Sequence, residues 1–146
     1  MLFRSMGGFD GKEEIGGSVG SFDLTSKKWE SLTFQADGKN GPGARSVATL
    51  LPLRVAGKQY LVTLFGEADP SSLGHAGAGK MLEDAWAFDI EGQAWKKLDI
   101  KKATEGKPAP RGWFGAIAVS DRVLTVVGGL GEDNERLDDV WTLEFA

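Results

Sequence analysis

The sequence predicts an all-β fold made of short antiparallel sheets, and three observations carry that prediction. Glycine supplies 21 of 146 residues, about twice its usual share, with no collagen period, which implies many tight turns and so many short strands. Landmarks recur at one spacing: Trp29 and Trp95 are 66 residues apart, and so are Arg45 and Arg111. No segment long enough for a helix has a 3.6-residue apolar period with capping signals, so no helix is expected.

The elements follow in order. Leu2–Met6 is a weak first strand, with Arg4 and Ser5 in its middle, ending at Gly7-Gly8. Ser18–Leu24 is the next, Thr25-Ser26-Lys27 its turn, and Lys28–Phe34 the third. Arg45–Leu53 opens a second unit. Gln59–Phe65 (QYLVTLF) is the strongest strand pattern, β-branched and aromatic. A long polar insertion follows Gly66. Ala85–Ile90 and Ala94–Leu98 then form a hairpin over Glu91-Gly92-Gln93, with Gly92 expected at positive φ. The last unit has strands at Trp113–Val119, Arg122–Val127 and Asp139–Phe145, with Gly128–Leu137 as a loop. The units hold three, four and three strands. The first lacks an opening strand and the third a closing one. Four-stranded units set radially are propeller blades. The chain is thus expected to be one domain over residues 1–146, an arc of three blades at about 1–36, 43–99 and 109–146.

The formal net charge of −4 offers no basic surplus for phosphates, so nucleic-acid binding is disfavoured. No apolar run is long enough to span a bilayer and no signal peptide is visible, so no membrane partner and a cytoplasmic location are expected. The absence of cysteine excludes disulfides and thiolate metal sites.

The glycine pair after an apolar strand, the aromatic-bearing third strand and the trailing tryptophan resemble the kelch repeat, whose period is about 50 residues. Two stretches, GEADPSSLGHAGAGKMLEDAWAFD and PAPRGWFGA, are similar to blades of the six-bladed nitrile-specifier and thiocyanate-forming group and its fungal relatives. That resemblance implies the C-terminal half of a six-bladed propeller. It also implies a final blade whose fourth strand comes from elsewhere.

The same resemblance implies Fe(II) held by Glu, Asp and His spaced four apart after Gly66. Glu67 and His75 match the outer positions, Ser71 occupies the middle one, and Asp69 is the nearest carboxylate that could replace it. The other reading of this stretch is a solvated polar loop that turns at Asp69-Pro70. Arg45 and Arg111, at equivalent places after Pro-containing loops, suit a small anionic ligand if they face the central channel. Otherwise they pair with acids or carbonyls of neighbouring blades. Trp113 matches a mouth tryptophan of the specifier group or serves as core. Trp29, Trp86, Trp95 and Trp141 are expected to pack between blades, and Asp23, Asp89 and Glu144 to bond turn amides. Copper-radical chemistry, also built on kelch-like blades, needs a cysteine and is excluded.

The primary expectation is a kelch-repeat interaction module with a protein partner or small anionic ligand, not an enzyme, presenting loops Gly66–Leu82 and Gly128–Leu137. The alternatives are an Fe(II)-dependent nitrile-specifier-like protein acting on glucosinolate aglycones, and an inactive part of a larger propeller. A homodimer that completes a propeller is a further possibility.

Overall fold

A computed structural model describes residues 1–69, 72, 77–100 and 106–145. Among the described residues it has no helix and twelve strands. Blade 1 is a three-stranded antiparallel sheet, β1 (Leu2–Met6), β2 (Ser18–Asp23) and β3 (Lys28–Thr33), in that order. Blade 2 joins β4 (Leu51–Val55), β5 (Lys58–Leu64), β8 (Ala85–Asp89) and β9 (Ala94–Leu98). Between β5 and β8 a small ribbon, β6 (Glu67–Ala68) with β7 (Lys80–Met81), rises from the blade. Blade 3 is β10 (Gly115–Ser120), β11 (Val123–Leu130) and β12 (Arg136–Glu144). The chain is therefore an arc of a propeller, with sheets of three, four and three strands.

Strand alternation sends each blade's apolar residues to two faces, and consecutive blades bury them against each other. Leu53, Val62, Leu64 and Ala87 of blade 2 pack on Leu124 and Val126 of blade 3, with Trp141 and Leu143 at the margin. On its other face blade 2 sets Leu61 and Phe88 against Val19 of blade 1, flanked by Met6, Leu32 and Trp95. Each cluster thus sits between two sheets.

Four local expectations change. β4 begins at Leu51, not Arg45, because Val47 takes a left-handed φ of 46° and breaks the strand. For the same reason β10 begins after Trp113, whose φ is 50°. The stretch 128–137 is not wholly a loop: Gly129 pairs with Leu137 and Leu130 with Arg136, past a bulge at Val127/Gly129. In the β8–β9 turn the left-handed residue is Gln93 (φ 52°), not Gly92. There the Asp89 carboxylate accepts the N–H groups of Glu91 and Gly92 at 3.0 Å, and a Cβ on Gly92 would lie 3.1 Å from that carboxylate. Blade 1 repeats this turn. Asp23 accepts from Thr25 and Ser26 at 2.7 and 2.9 Å, Lys27 takes φ 57°, and the bonds from Ser26 and Thr25 hold the Asp23 carboxyl below its usual range. Glu144 makes no such turn and pairs with Arg122 at 2.9 Å.

β1 of blade 1, β5 of blade 2 and β11 of blade 3 each run into two consecutive positive-φ residues. The pairs are Gly7 and Gly8 (70°, 122°), Phe65 and Gly66 (54°, 100°), and Gly128 and Gly129 (59°, 118°). This corner brings the backbone against the next blade: Gly8 N–H donates to the Arg45 carbonyl at 2.9 Å, and Gly66 N–H to the Arg111 carbonyl at 2.8 Å. A Cβ on Gly66 would lie 2.6 Å from the Ser46 carbonyl oxygen and 2.7 Å from the Ala48 Cβ, whereas one on Gly8 meets nothing within 4 Å. Gly66→Ala is expected to cost about 3 kcal/mol or more in chemical denaturation, strain and overlap acting together. Gly8→Ala is expected to cost about 1 kcal/mol, from φ alone. Equal losses would refute the close approach at Gly66.

Candidate functional site

The loops that lead into blades 2 and 3 are built alike. Arg45-Ser46-Val47 and Arg111-Gly112-Trp113 occupy equivalent places, and both third residues are left-handed. Ser46 bridges to Glu67, and Gly112 to Leu130, each linking the loop to the segment just past the blade's glycine corner. The two loops also touch: Trp113 N–H donates to the Val47 carbonyl at 3.1 Å.

Both arginines are buried, and neither guanidinium reaches the surface. Arg45 grips Asp84 with two bonds, at 2.8 and 3.1 Å, and donates to the carbonyls of Phe65 (3.1 Å) and Gly43 (3.1 Å). Arg111 grips Asp139 in the same way, at 2.5 and 2.8 Å, and donates to the carbonyls of Gly128 (2.9 Å) and Ala109 (3.0 Å). Each carboxylate also accepts the indole N–H of a tryptophan two residues on, Trp86 or Trp141, at 2.6 Å. A two-pronged guanidinium–carboxylate pair is among the strongest polar contacts available.

The pKa shifts reflect this. Burial pushes the Asp84 carboxyl up, but the bonds and charge of Arg45 and the Trp86 N–H outweigh it and the net direction is down. The Arg111 hydrogen bonds, against some burial, hold Asp139 down at about 2. Two lone tryptophans in the sequence are thus not only packing residues. The signal that could have revealed this is the repeated Asp-x-Trp at Asp84–Trp86 and Asp139–Trp141. Blade 1 has Ser18 and Gly20 at those places, and the Trp29 ring approaches Gly20 so closely that a Cβ there would lie 3.1 Å from it.

Trp113, the third residue of the second loop, is 42% exposed. A cavity of about 150 Å³ adjoins Val47 of the first loop and is lined also by Met6, Ala48, Thr49 and Thr63. The Thr63 hydroxyl is buried without a hydrogen-bond partner among the described residues. The polar insertion meets the Arg45 loop through the Ser46–Glu67 bridge. Glu67 is buried, and its carboxylate accepts the Gly79 N–H at 2.5 Å. Asp69 is exposed, with φ 53°. Burial raises the Glu14 carboxyl, aided by the charges of Glu67 and Asp69, although its bond from the Ser46 hydroxyl at 3.3 Å opposes this.

Ser71 and His75 lie outside the described residues, and among the described residues no three His, Cys, Asp or Glu side chains form a group able to hold a metal. The Fe(II) site that the resemblance implies thus draws on two positions outside the described residues. No described helix is long and apolar enough to cross a membrane.

The arginine pairs set an acid dependence. Asp139 has a folded pKa near 2 against an ordinary 3.8, so its stabilisation is present above about pH 4 and is lost as the pH falls toward 2. Asp139→Asn should lower stability at neutral pH and flatten the loss between pH 4 and 2, as read by denaturant titration at each pH. An unchanged acid profile would contradict the pairing. Arg111→Met is expected to cost about 1–3 kcal/mol, because it leaves the Gly128 and Ala109 carbonyls without their donor while Asp139 keeps its contact with solvent.

No protein-family model matches the chain. A curated F-box/kelch-repeat protein of Arabidopsis thaliana is 35% identical over 71 residues, which are 47% of this chain and 15% of that protein. The chain thus spans a small part of the relative's length. Sequence similarity to a kelch-repeat protein, together with the three sheets and their glycine corners, identifies the fold as a partial kelch-type propeller.

Proposed function

We propose that the chain is a kelch-repeat interaction module that engages a protein partner at the mouth around Trp113. The observation that carries this reading is a large aromatic side chain, 42% exposed, on a backbone with φ 50°. Left-handed backbone is costly for a non-glycine residue and tends to be retained where a side chain has a task. Exposed tryptophans are the residues most enriched among binding anchors. Val47 shares the conformation without exposing an aromatic, so the fold asks for the backbone shape and not for the indole.

A small anion is the weaker ligand for this face. Arg45 and Arg111 are each neutralised by their own carboxylate, while Glu14, Glu67 and Asp69 add negative charge. A basic side chain on the partner, laid near Trp113, complements such a surface. The β6–β7 ribbon and the β11–β12 turn at 131–135, tied to the Arg45 and Arg111 loops through the Ser46–Glu67 and Gly112–Leu130 bridges, supply further contacts. An Fe(II)-dependent activity is not part of this proposal, because the Glu67 carboxylate is already bonded to the Gly79 N–H.

Trp113→Gly separates binding from folding. Glycine relieves the left-handed strain, so the variant should be as stable as the parent or about 0.5–1 kcal/mol more stable, yet weaken partner binding at least about tenfold. Denaturant titration and affinity measurement read the two effects. A variant that loses stability and keeps its affinity would make Trp113 a structural residue and overturn the proposal.

A further inference from the structure

The two blade junctions are built from equivalent residues, and they are not filled alike. Thr63 of blade 2 pairs with Trp86, as Val126 of blade 3 pairs with Trp141. A Cβ added at Gly66 would meet the Ala48 Cβ at 2.7 Å, and one at Gly129 would meet the Phe114 Cβ at 3.0 Å. Thr63 thus stands where blade 3 has Val126, and Ala48 stands where blade 3 has Phe114. On the facing blade the corner residue is Phe65 in one junction and Gly7 in the other.

Between blades 2 and 3 two rings take up this space. Phe65 is fully buried, its ring centre is 5.5 Å from that of Phe114, and the Arg111 guanidinium lies 5.9 Å from it. Between blades 1 and 2 Gly7 and Ala48 replace both rings, and the cavity of about 150 Å³ lies there, bordered by Met6, Arg45, Ala48 and Thr63. A hole of roughly this size takes one benzene ring. Blade 2 brings all four of its strands to its junction with blade 3, and that junction still holds both rings. The gap between blades 1 and 2 therefore follows from the residues at 7 and 48. The cavity is not wholly apolar. Thr63 is 0% exposed, and its hydroxyl has no hydrogen-bond partner among the described residues, which is costly for a buried group. Blade 3 has valine at that place, so the sheet does not require a hydroxyl there. Arg45 borders the same space, at the place where Arg111 meets the Phe65 ring.

We propose that this cavity binds a small phenolic ring. The ring takes the place that the Phe114 ring has in the next junction, Arg45 faces it as Arg111 faces Phe65, and its hydroxyl is the hydrogen-bond partner of Thr63. A free phenol and a tyrosine side chain of a polypeptide share this chemistry, and the test separates them. The site is distinct from Trp113, which is not among its lining residues.

The test is an NMR titration of the full 146-residue chain with phenol, toluene and N-acetyltyrosinamide, following the methyl groups of Met6, Thr63 and Met81. Phenol should shift the Met6 and Thr63 methyls by its ring current, saturably and in the millimolar range, and leave Met81 in place. If N-acetyltyrosinamide produces the same shifts, the occupant is a polypeptide's tyrosine; if it does not, the occupant is a free phenol. Thr63→Val, read at Met6, should weaken phenol binding roughly three- to tenfold, the loss of one hydrogen bond, and leave toluene binding unchanged. Ala48→Phe fills the cavity and should abolish the response to phenol, with the Met6 methyl already displaced in the free variant. Ala48→Leu takes its place if that variant does not fold. The proposal is overturned if phenol leaves Met6 and Thr63 unmoved in the parent, or if the filled variant binds phenol as the parent does. It is equally overturned if Thr63→Val keeps the parent's affinity for phenol.

Discussion

A buried arginine that belongs to two blades at once is the contact on which the arc depends. The carbonyl of Arg45 accepts from Gly8 of blade 1, while its guanidinium holds Asp84 and the Phe65 carbonyl of blade 2. Arg111 does the same between Gly66 of blade 2 and Asp139 with the Gly128 carbonyl of blade 3. A guanidinium in such a place could not be left without partners, because an unpaired buried charge costs several kcal/mol. Here carboxylate, carbonyls and geometry are all supplied by fixed strand ends. The tryptophan N–H then satisfies the outer carboxylate oxygen, so the group is closed and its members cannot be exchanged one at a time.

This arrangement also explains why the corner of blade 2 needs glycine at position 66. The backbone at Gly66 must approach Ser46 and Ala48 so closely that no side chain fits. The residue before it is not glycine: Phe65 stands where the other two blades have Gly7 and Gly128, at φ 54°. Its ring is fully buried, 5.5 Å from Phe114 and beneath the Arg111 guanidinium at 5.9 Å. Apolar burial and the cation–π contact offset the backbone strain there.

Much of the architecture was legible in the sequence because strands announce themselves by alternation and corners by glycine. The shared spacing of tryptophans and arginines gave the repeat. What escaped was set by contacts distant in sequence. Val47 and Trp113 sit in runs that alternate well enough to pass for strand, but each is bent by its neighbour loop and by the arginine two residues before. The ribbon of Glu67–Ala68 with Lys80–Met81 has too few residues for any pattern. At the site, arginines after proline-containing loops could equally face a ligand or a carboxylate. The deciding residues, Asp84 and Asp139, lie 39 and 28 positions away. Trp29 looked like its counterpart Trp95, yet it is exposed, since the difference between them is whether a neighbouring blade is present.

Native-state hydrogen exchange at the amide of Gly66, in the parent and in Arg111→Met, tests the junction role most directly. If one arginine joins both blades, removing the guanidinium should loosen the loop that carries its carbonyl. The Gly66 amide should then lose at least about tenfold of its protection, together with Val126 of blade 3, while Gly8 at the Arg45 junction keeps its own. Unchanged protection at Gly66 beside a destabilised blade 3 would show that the arginine serves one blade only, and would contradict the shared junction.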